Sequence, residues 1–242
     1  MQCVILAGGL GTRMRPATDR VPKTLLPVAG SPFAAHQLTM LSASGVTDVV
    51  YCIGHLGQRV RDYVGDGHRF GLTVRYVDEH DELRGTGGAL RLAADRGVLS
   101  ERFLVLYGDS YLPTDFGAVD AAFARDDAAA LMTVFHNRDR WVPSNVVFDG
   151  RRVVAYDKEQ RHPGMEWVDY GVSVLGRDVV AGIPSGAVVD LAAVFGGLSR
   201  SGRLAGFEVQ DRFYEIGSPD GLRDVEAHLA AHPAGAVASG SA

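Results

Sequence analysis

Short, almost uninterrupted apolar runs punctuate the first half of the chain: Val4–Leu6, Asp48–Ile53, Leu72–Val77, Phe103–Tyr107 and Ala129–Phe135. Between them, apolar positions fall at helical spacing. Ser31-Pro32 reads as a helix start, with serine as N-cap and proline at the first helical position; Ala34, Leu38 and Leu41 then share one face before Gly45 stops the helix. Further helices are expected through Val60 and Tyr63, over Ala89 to Ala94, and over Phe116 to Ala124. Strand and helix in alternation predict an α/β fold, a mostly parallel sheet covered on both faces. From about residue 136 the pattern changes. Asn145–Phe148, Asp149-Gly150 and Arg151–Tyr156 read as a hairpin, Trp167–Leu175 as another strand, and Ser218-Pro219 as the start of a last helix over Asp220 to Ala231. We therefore expect one domain over 1–231, with a first half (1–135) and a smaller β-rich second half (136–231). Residues 232–242 are rich in Ser, Gly and Ala, and a mobile tail is expected there.

Composition narrows the function classes. The 242 residues suffice to bury a sizeable core without disulfides or metals, and the formal charge of −5 argues against non-specific nucleic-acid binding. Cys3 and Cys52 sit inside apolar runs with nothing near them at metal-ligand spacing, so both are expected to be reduced core residues. Met1 leads directly into the first strand, leaving no room for a signal peptide, and no apolar run approaches the ~20 residues of a membrane span. The expectation is a cytoplasmic protein that does not engage a membrane. Whether it is a monomer or a homodimer stays open.

Candidate chemistry is densest at residues 4–28. The strand ending at Leu6 runs into Ala7-Gly8-Gly9-Leu10-Gly11-Thr12-Arg13, and three glycines in four positions let backbone N–H groups approach a polyphosphate. The spacing fits neither the dinucleotide fingerprint nor the P-loop, which wants Gly-Lys-Ser/Thr. Arg13 closes the loop and Lys23 follows ten residues later, between Pro16, Pro22 and Pro27, whose fixed φ angles predict an extended, stiff arm. Two cations are thus expected at one phosphate site. The run LAGGLGTRMRPATDRVPK resembles the signature of the sugar-1-phosphate nucleotidylyltransferases at every fixed position.

That resemblance implies a glycosyltransferase-A-like, Rossmann-like nucleotidyltransferase fold and a Mg²⁺-dependent reaction. A nucleoside triphosphate and a sugar 1-phosphate would give a nucleotide sugar and pyrophosphate. Nucleotide contacts would fall on Leu6, Ala7, Gly8, Gly9, Gly11, Thr12 and Arg13, and, from the second glycine cluster at a helix start, on Gly85, Thr86 and Gly87. Asp109 lies just past the end of an apolar strand, where open α/β sheets bind ligands. It matches the family's metal aspartate. Glu215, in Tyr214-Glu215-Ile216-Gly217-Ser218-Pro219, stands where the family carries the second metal ligand, an aspartate. The acceptor would be held by Lys23, Asn145, Asp157, Lys158, Asp169 and Gly171. Asp157 replaces the family's glutamate and Asp169 its asparagine.

Arg13, Lys23 and Asp109 would be the catalytic groups, acting by alignment and charge neutralisation, because the attacking phosphate is already an anion. The acids Asp78, Glu79, Asp81 and Glu82 could accept from the neighbouring donors of guanine, and the RGTGGAL that follows resembles a segment of bacterial heptose 1-phosphate guanylyltransferases, so GTP is favoured, with Glu79 as base reader. UTP or dTTP remains the alternative, as does a non-catalytic regulatory subunit. A nucleotide hydrolase or kinase would need a water-activating base or a Walker lysine, and neither arrangement is present.

Overall fold

The computed structural model of the chain describes residues 1–80 and 82–232. Asp81 and the tail from residue 233 onward lie outside them. Strand β1 (Gln2–Ala7) leads through the glycine loop to two short strands, β2 (Pro27–Val28) and β3 (Ser31–Pro32), which pair with each other. Next come α1 (Phe33–Ala43), β4 (Asp48–Ile53), α2 (Gly57–Val64), β5 (Thr73–Asp78), α3 (Gly85–Asp95), β6 (Arg102–Tyr107) and β7 (Ser110–Tyr111). The chain continues with α4 (Phe116–Ala124), β8 (Ala130–His136), β9 (Val146–Phe148), β10 (Val153–Tyr156) and β11 (Trp167–Gly176). It ends with α5 (Arg177–Ala181), α6 (Leu191–Arg200), β12 (Leu204–Val209), β13 (Tyr214–Glu215) and α7 (Pro219–Ala231).

One sheet carries strands from both halves in the order β10-β9-β11-β6-β1-β4-β5, with β8 on β11 and β12 on β8. Pairs β1/β4, β1/β6, β4/β5 and β8/β12 are parallel, whereas β11 runs antiparallel to β6 and β8. Strand periodicity explains why the apolar runs are uninterrupted. Along β1, Cys3 and Ile5 enter the core under α1, whereas Val4 and Leu6 enter the opposite core with Leu90 and Ala93 of α3. Both cysteines are buried and free, and burial pushes both thiols well up.

Three expectations are corrected. Ser31-Pro32 is a short strand paired with Pro27-Val28, and Pro32, not Ser31, is the N-cap of α1, without a side-chain hydrogen bond. The proline-bracketed segment is not an extended arm but folds into single 3₁₀ turns at Thr12–Met14 and Lys23–Leu25. Its apolar residues cause this. Met14, Leu26, Val28 and Phe33 collapse on Ile216 and on Val225 of α7 into a third small core. Burying each such side chain contributes about 1.5–3 kcal/mol, which favours compaction over reach. Finally, α5, α6 and β12 occupy residues 177–209, for which the sequence pattern predicted no elements.

Candidate active site

Two cavities open at the C-terminal ends of β1 and β6. The larger, about 350 Å³, is lined by Leu6, Ala7, Gly8, Gly9, Gly11, Thr12, Arg13, Lys23, Glu79, Gly85, Thr86 and Asp109, together with Thr24, Leu83, Ala89, Tyr107 and Gly108. The smaller, about 270 Å³, takes Asn145, Lys158, Asp169, Gly171 and Glu215, with Ser110, Val142, Val168, Tyr170 and Phe213. Arg13, Tyr107 and Asp109 line both. Whatever occupies the two cavities therefore meets over these three residues.

Asp109 and Glu215 are brought together by backbone. β7 and β13 pair through Ser110 and Glu215, and the Ile216 N–H donates to the Asp109 carbonyl at 2.9 Å. Lys23 Nζ donates to Asp109 Oδ2. A Cβ placed on Gly217 would lie 3.3 Å from Glu215 Oε1, 3.4 Å from Arg13 Nη2 and 3.4 Å from Lys23 Nζ, so the two cations and the glutamate converge there. Burial, and then the Asp109 charge, push the Glu215 carboxyl up, while Lys23, Arg13 and Lys158 pull it back. Among the described residues no group of three or more His, Cys, Asp and Glu side chains forms an all-protein metal site. Two hard carboxylates facing a shared cavity do fit Mg²⁺, which keeps waters and substrate phosphate oxygens beside one or two protein ligands.

The first glycine loop makes room for a side chain of the protein itself. A Cβ on Gly8 would collide with the Glu79 carboxylate, so the absence of a side chain there lets Glu79 lie under the loop. Glu79 is only 6% exposed, and its Oε1 accepts the Arg84 N–H at 3.0 Å. Desolvation raises its pKa.

The second glycine cluster differs from expectation. What approaches it closely is the chain's own 184–190 segment. The N–H groups of Gly87 and Gly88 both donate to the Val189 carbonyl, at 2.8 and 3.2 Å, and a Cβ on Gly85 would sit 2.6 Å from that oxygen. Gly85 and Thr86 still line the cavity, but Gly87 is buried against Val189 and does not. Thr86 Oγ1 accepts the Leu191 N–H and donates to Asp190, tying α3 to α6.

Lys158 enters the smaller cavity with its Nζ 5.4 Å from the Tyr107 ring centroid. Asp157 does not line that cavity. Its carboxylate accepts the Glu159 and Gln160 N–H groups at 2.8 and 2.9 Å, organising the next loop and lining a neighbouring hollow with Ser144 and Arg161. Asp169 Oδ2 accepts from the Tyr156 hydroxyl at 3.0 Å and Oδ1 from the Gly171 N–H at 3.1 Å. Asn145 Oδ1 accepts the Asp169 N–H at 3.0 Å. These residues sit at an irregularity in β11: between the pairs Asp169/Val134 and Ser173/Met132, four steps on β11 oppose two on β8. Gly171 takes φ +113° there. Such a bulge re-aims side chains out of the sheet plane, and no periodicity announces it. Tyr107, Ser110, Val142, Val168 and Phe213 also escaped sequence reasoning. Tyr107 had a detectable signal, two residues before Asp109 at a strand's C-terminal end.

Residues 2–144 match the family described as nucleotidyl transferase. The chain belongs to that family and is a nucleotidylyltransferase. It is 31% identical over 232 residues to N-acetylmuramate alpha-1-phosphate uridylyltransferase of Neisseria meningitidis, covering 94% of this chain and 97% of the relative. It is 29% identical to mannose-1-phosphate guanylyltransferase of Mycobacterium tuberculosis, over 97% of this chain and 67% of that longer protein. The fold superposes on HddC from Yersinia pseudotuberculosis, solved with GMP-PN, with a TM-score of 0.79 at 22% identity, over 94% of this chain and 99% of that one. No helix among the described residues is long and apolar enough to cross a membrane.

Proposed function

We propose that the protein transfers a nucleotidyl group from a nucleoside triphosphate to a sugar 1-phosphate, releasing pyrophosphate, with Mg²⁺ as cofactor and GTP as the preferred donor. The observation that carries this reading is the meeting of two cavities over Arg13, Tyr107 and Asp109, with Lys23 and Glu215 alongside. A phosphate oxygen of the acceptor attacks the α-phosphorus, the bond to the β-phosphate oxygen breaks, and pyrophosphate leaves. No protein nucleophile is needed, so the residues act by alignment and charge neutralisation. Leu6, Ala7, Gly8, Gly9, Gly11 and Thr12 cradle the triphosphate, and Gly85 and Thr86 flank the nucleoside. Arg13 neutralises the departing pyrophosphate, and Lys23 the α-phosphate or the incoming one. Asp109 and Glu215 would hold Mg²⁺, which supplies charge neutralisation shared by both phosphates. Asn145, Lys158, Asp169 and Gly171 bind the acceptor.

GTP is favoured by Glu79, a carboxylate at the cavity wall that can accept from the adjacent N1–H and 2-amino donors of guanine. Such a contact favours guanine by about 1–3 kcal/mol, by analogy with bidentate base contacts. A second reading, UTP as donor, has its own support: the Neisseria relative, matched along 97% of its length, is named for uridylyl transfer. Pyrophosphate release measured with each NTP against a panel of sugar 1-phosphates decides between them. Faster turnover with UTP or dTTP than with GTP would reverse the base assignment alone, and no release with any pair would overturn the transfer itself. Chelation should abolish turnover and Mg²⁺ restore it.

A further inference from the structure

We infer that Gln37 is a positioning residue for Asp109, a reading that rests on Asp109 being a metal ligand. Gln37 lies on the inner face of α1 and is wholly buried. Its Nε2 donates to the Tyr107 carbonyl at 2.9 Å and to the Ser110 carbonyl at 2.7 Å. Those carbonyls bracket Gly108-Asp109, the turn between β6 and β7. Both hydrogens of one amide nitrogen thus span the turn that presents the carboxylate.

The rest of the amide tells the same story. Oε1 of Gln37 is buried with no hydrogen-bond partner among the described residues. An unsatisfied buried amide oxygen destabilises a fold, so a methionine or leucine would suit this position better if packing were its only task. What the amide alone provides is the pair of N–H donors.

The turn is also held from its other sides. The Gly108 N–H donates to the Leu6 carbonyl at 2.9 Å, and a Cβ on Gly108 would lie 2.8 Å from the Ala7 Cβ, so β1 blocks movement inward. The Ile216 N–H holds the Asp109 carbonyl at 2.9 Å. With β1 closing one side, a turn released by Gln37 moves toward the cavity. Asp109 then loses its alignment with Glu215. Gln37 touches no substrate in this scheme; it acts through the backbone that carries Asp109.

Gln37→Met keeps the side-chain length and removes both donors. It should raise the Mg²⁺ concentration for half-maximal turnover about tenfold, the scale on which groups that orient metal ligands act. Mn²⁺ binding to the substrate-free protein, followed by paramagnetic resonance, should weaken in parallel. Leu41→Ala, in the core on the same helix, serves as control: it lowers the thermal midpoint but leaves both metal readouts unchanged. If Gln37→Met fails to fold, Gln37→Asn, one methylene too short to span both carbonyls, gives the same reading. Wild-type metal dependence in the folded variant, alongside a raised Mg²⁺ requirement in Asp109→Asn, overturns the clamp, as does an equal shift in Leu41→Ala. Asp109→Asn with unchanged metal dependence would instead remove the metal assignment, and the proposal with it.

Discussion

The larger cavity takes its longest continuous wall from residues 6–13, where three glycines bare the backbone, and is completed by Lys23, Thr24, Glu79, Leu83, Gly85, Thr86, Ala89 and residues 107–109. The smaller one gathers individual side chains from around residues 109, 142–145, 158, 168–171 and 213–215. A wall made of backbone depends on the absence of side chains and on the path of one turn. In the proposed reading it would meet what every nucleoside triphosphate shares, its phosphates. A wall assembled from scattered side chains can change one contact at a time, which would suit the part of the site proposed to tell one acceptor from another. The two meet where charge is densest, so disturbance there should harm both substrates, whereas disturbance further out should harm only one.

The largest effects are accordingly expected at the junction. Arg13→Ala and Lys23→Met should each lower kcat by at least ~10²-fold, the scale of one preorganised charge contact. They should differ in stability. The Arg13 residue is exposed, and its loss should leave the thermal midpoint unchanged. Lys23 is 16% exposed and paired with Asp109, so its loss leaves two neighbouring carboxylates without their cation and should lower the midpoint as well. Thermal melts beside steady-state kinetics check both, and near wild-type kcat in either variant breaks the assignment.

Next comes the backbone wall. Gly8→Ala should raise KM for the nucleotide by about tenfold or more, because its Cβ collides with the Glu79 carboxylate and one of the two must move. The same clash should lower the thermal midpoint, and Glu79→Ala in the same chain should recover part of that midpoint by removing the colliding group. A double mutant no better than Gly8→Ala would mean that the glycine serves the ligand alone.

A smaller and one-sided effect is expected on the acceptor side. Lys158→Met should raise acceptor KM roughly tenfold while leaving nucleotide KM within about twofold. Asp157→Asn should leave both near wild type, since an amide oxygen can still accept the Glu159 and Gln160 N–H groups. A selective acceptor defect in Asp157→Asn would return that residue to the sugar-phosphate site.

The smallest effect concerns stability and pH. Burial raises the Glu79 pKa above its unfolded value, so the folded state holds its proton more tightly than the unfolded one. Ionisation then favours unfolding, and stability from this group is lost as pH rises from the ordinary glutamate range through the raised value. Glu79→Gln, which keeps an oxygen for the Arg84 N–H, should therefore melt slightly higher than wild type at pH 7 to 8. The gain should disappear near pH 4, and an advantage independent of pH would refute the burial argument.

Much of the molecule was legible in the residues themselves. The strands of the parallel core, the helix opening at Ser218-Pro219, the glycine loop after β1 and Asp109 at a strand end are each stated by local pattern. Continuous apolar runs and glycine-rich turns reflect constraints on nearby residues, so they survive in one dimension. Glu215 could be matched by its surrounding segment, but its closeness to Asp109 depends on the pairing of β7 with β13, two strands of two residues each that no periodicity marks.

Other features were decided only by packing across long separations. Pro16, Pro22 and Pro27 suggested an arm, yet burial of Met14, Leu26 and Val28 against Ile216 and Val225 folds that segment into turns and sets Lys23 against Asp109. The glycines at 85, 87 and 88 suggested room for a ligand, yet residues 187–189 approach them in large part. Asp169 and Gly171 reach the smaller cavity through a bulge whose partner strand lies more than thirty residues earlier in the chain. By itself, the sequence determined the glycine loop and the sheet that bears it, because local stereochemistry suffices for both. The tertiary structure alone decided which distant groups line the cavity beside that loop, since only the burial of apolar surface between remote segments brings them there.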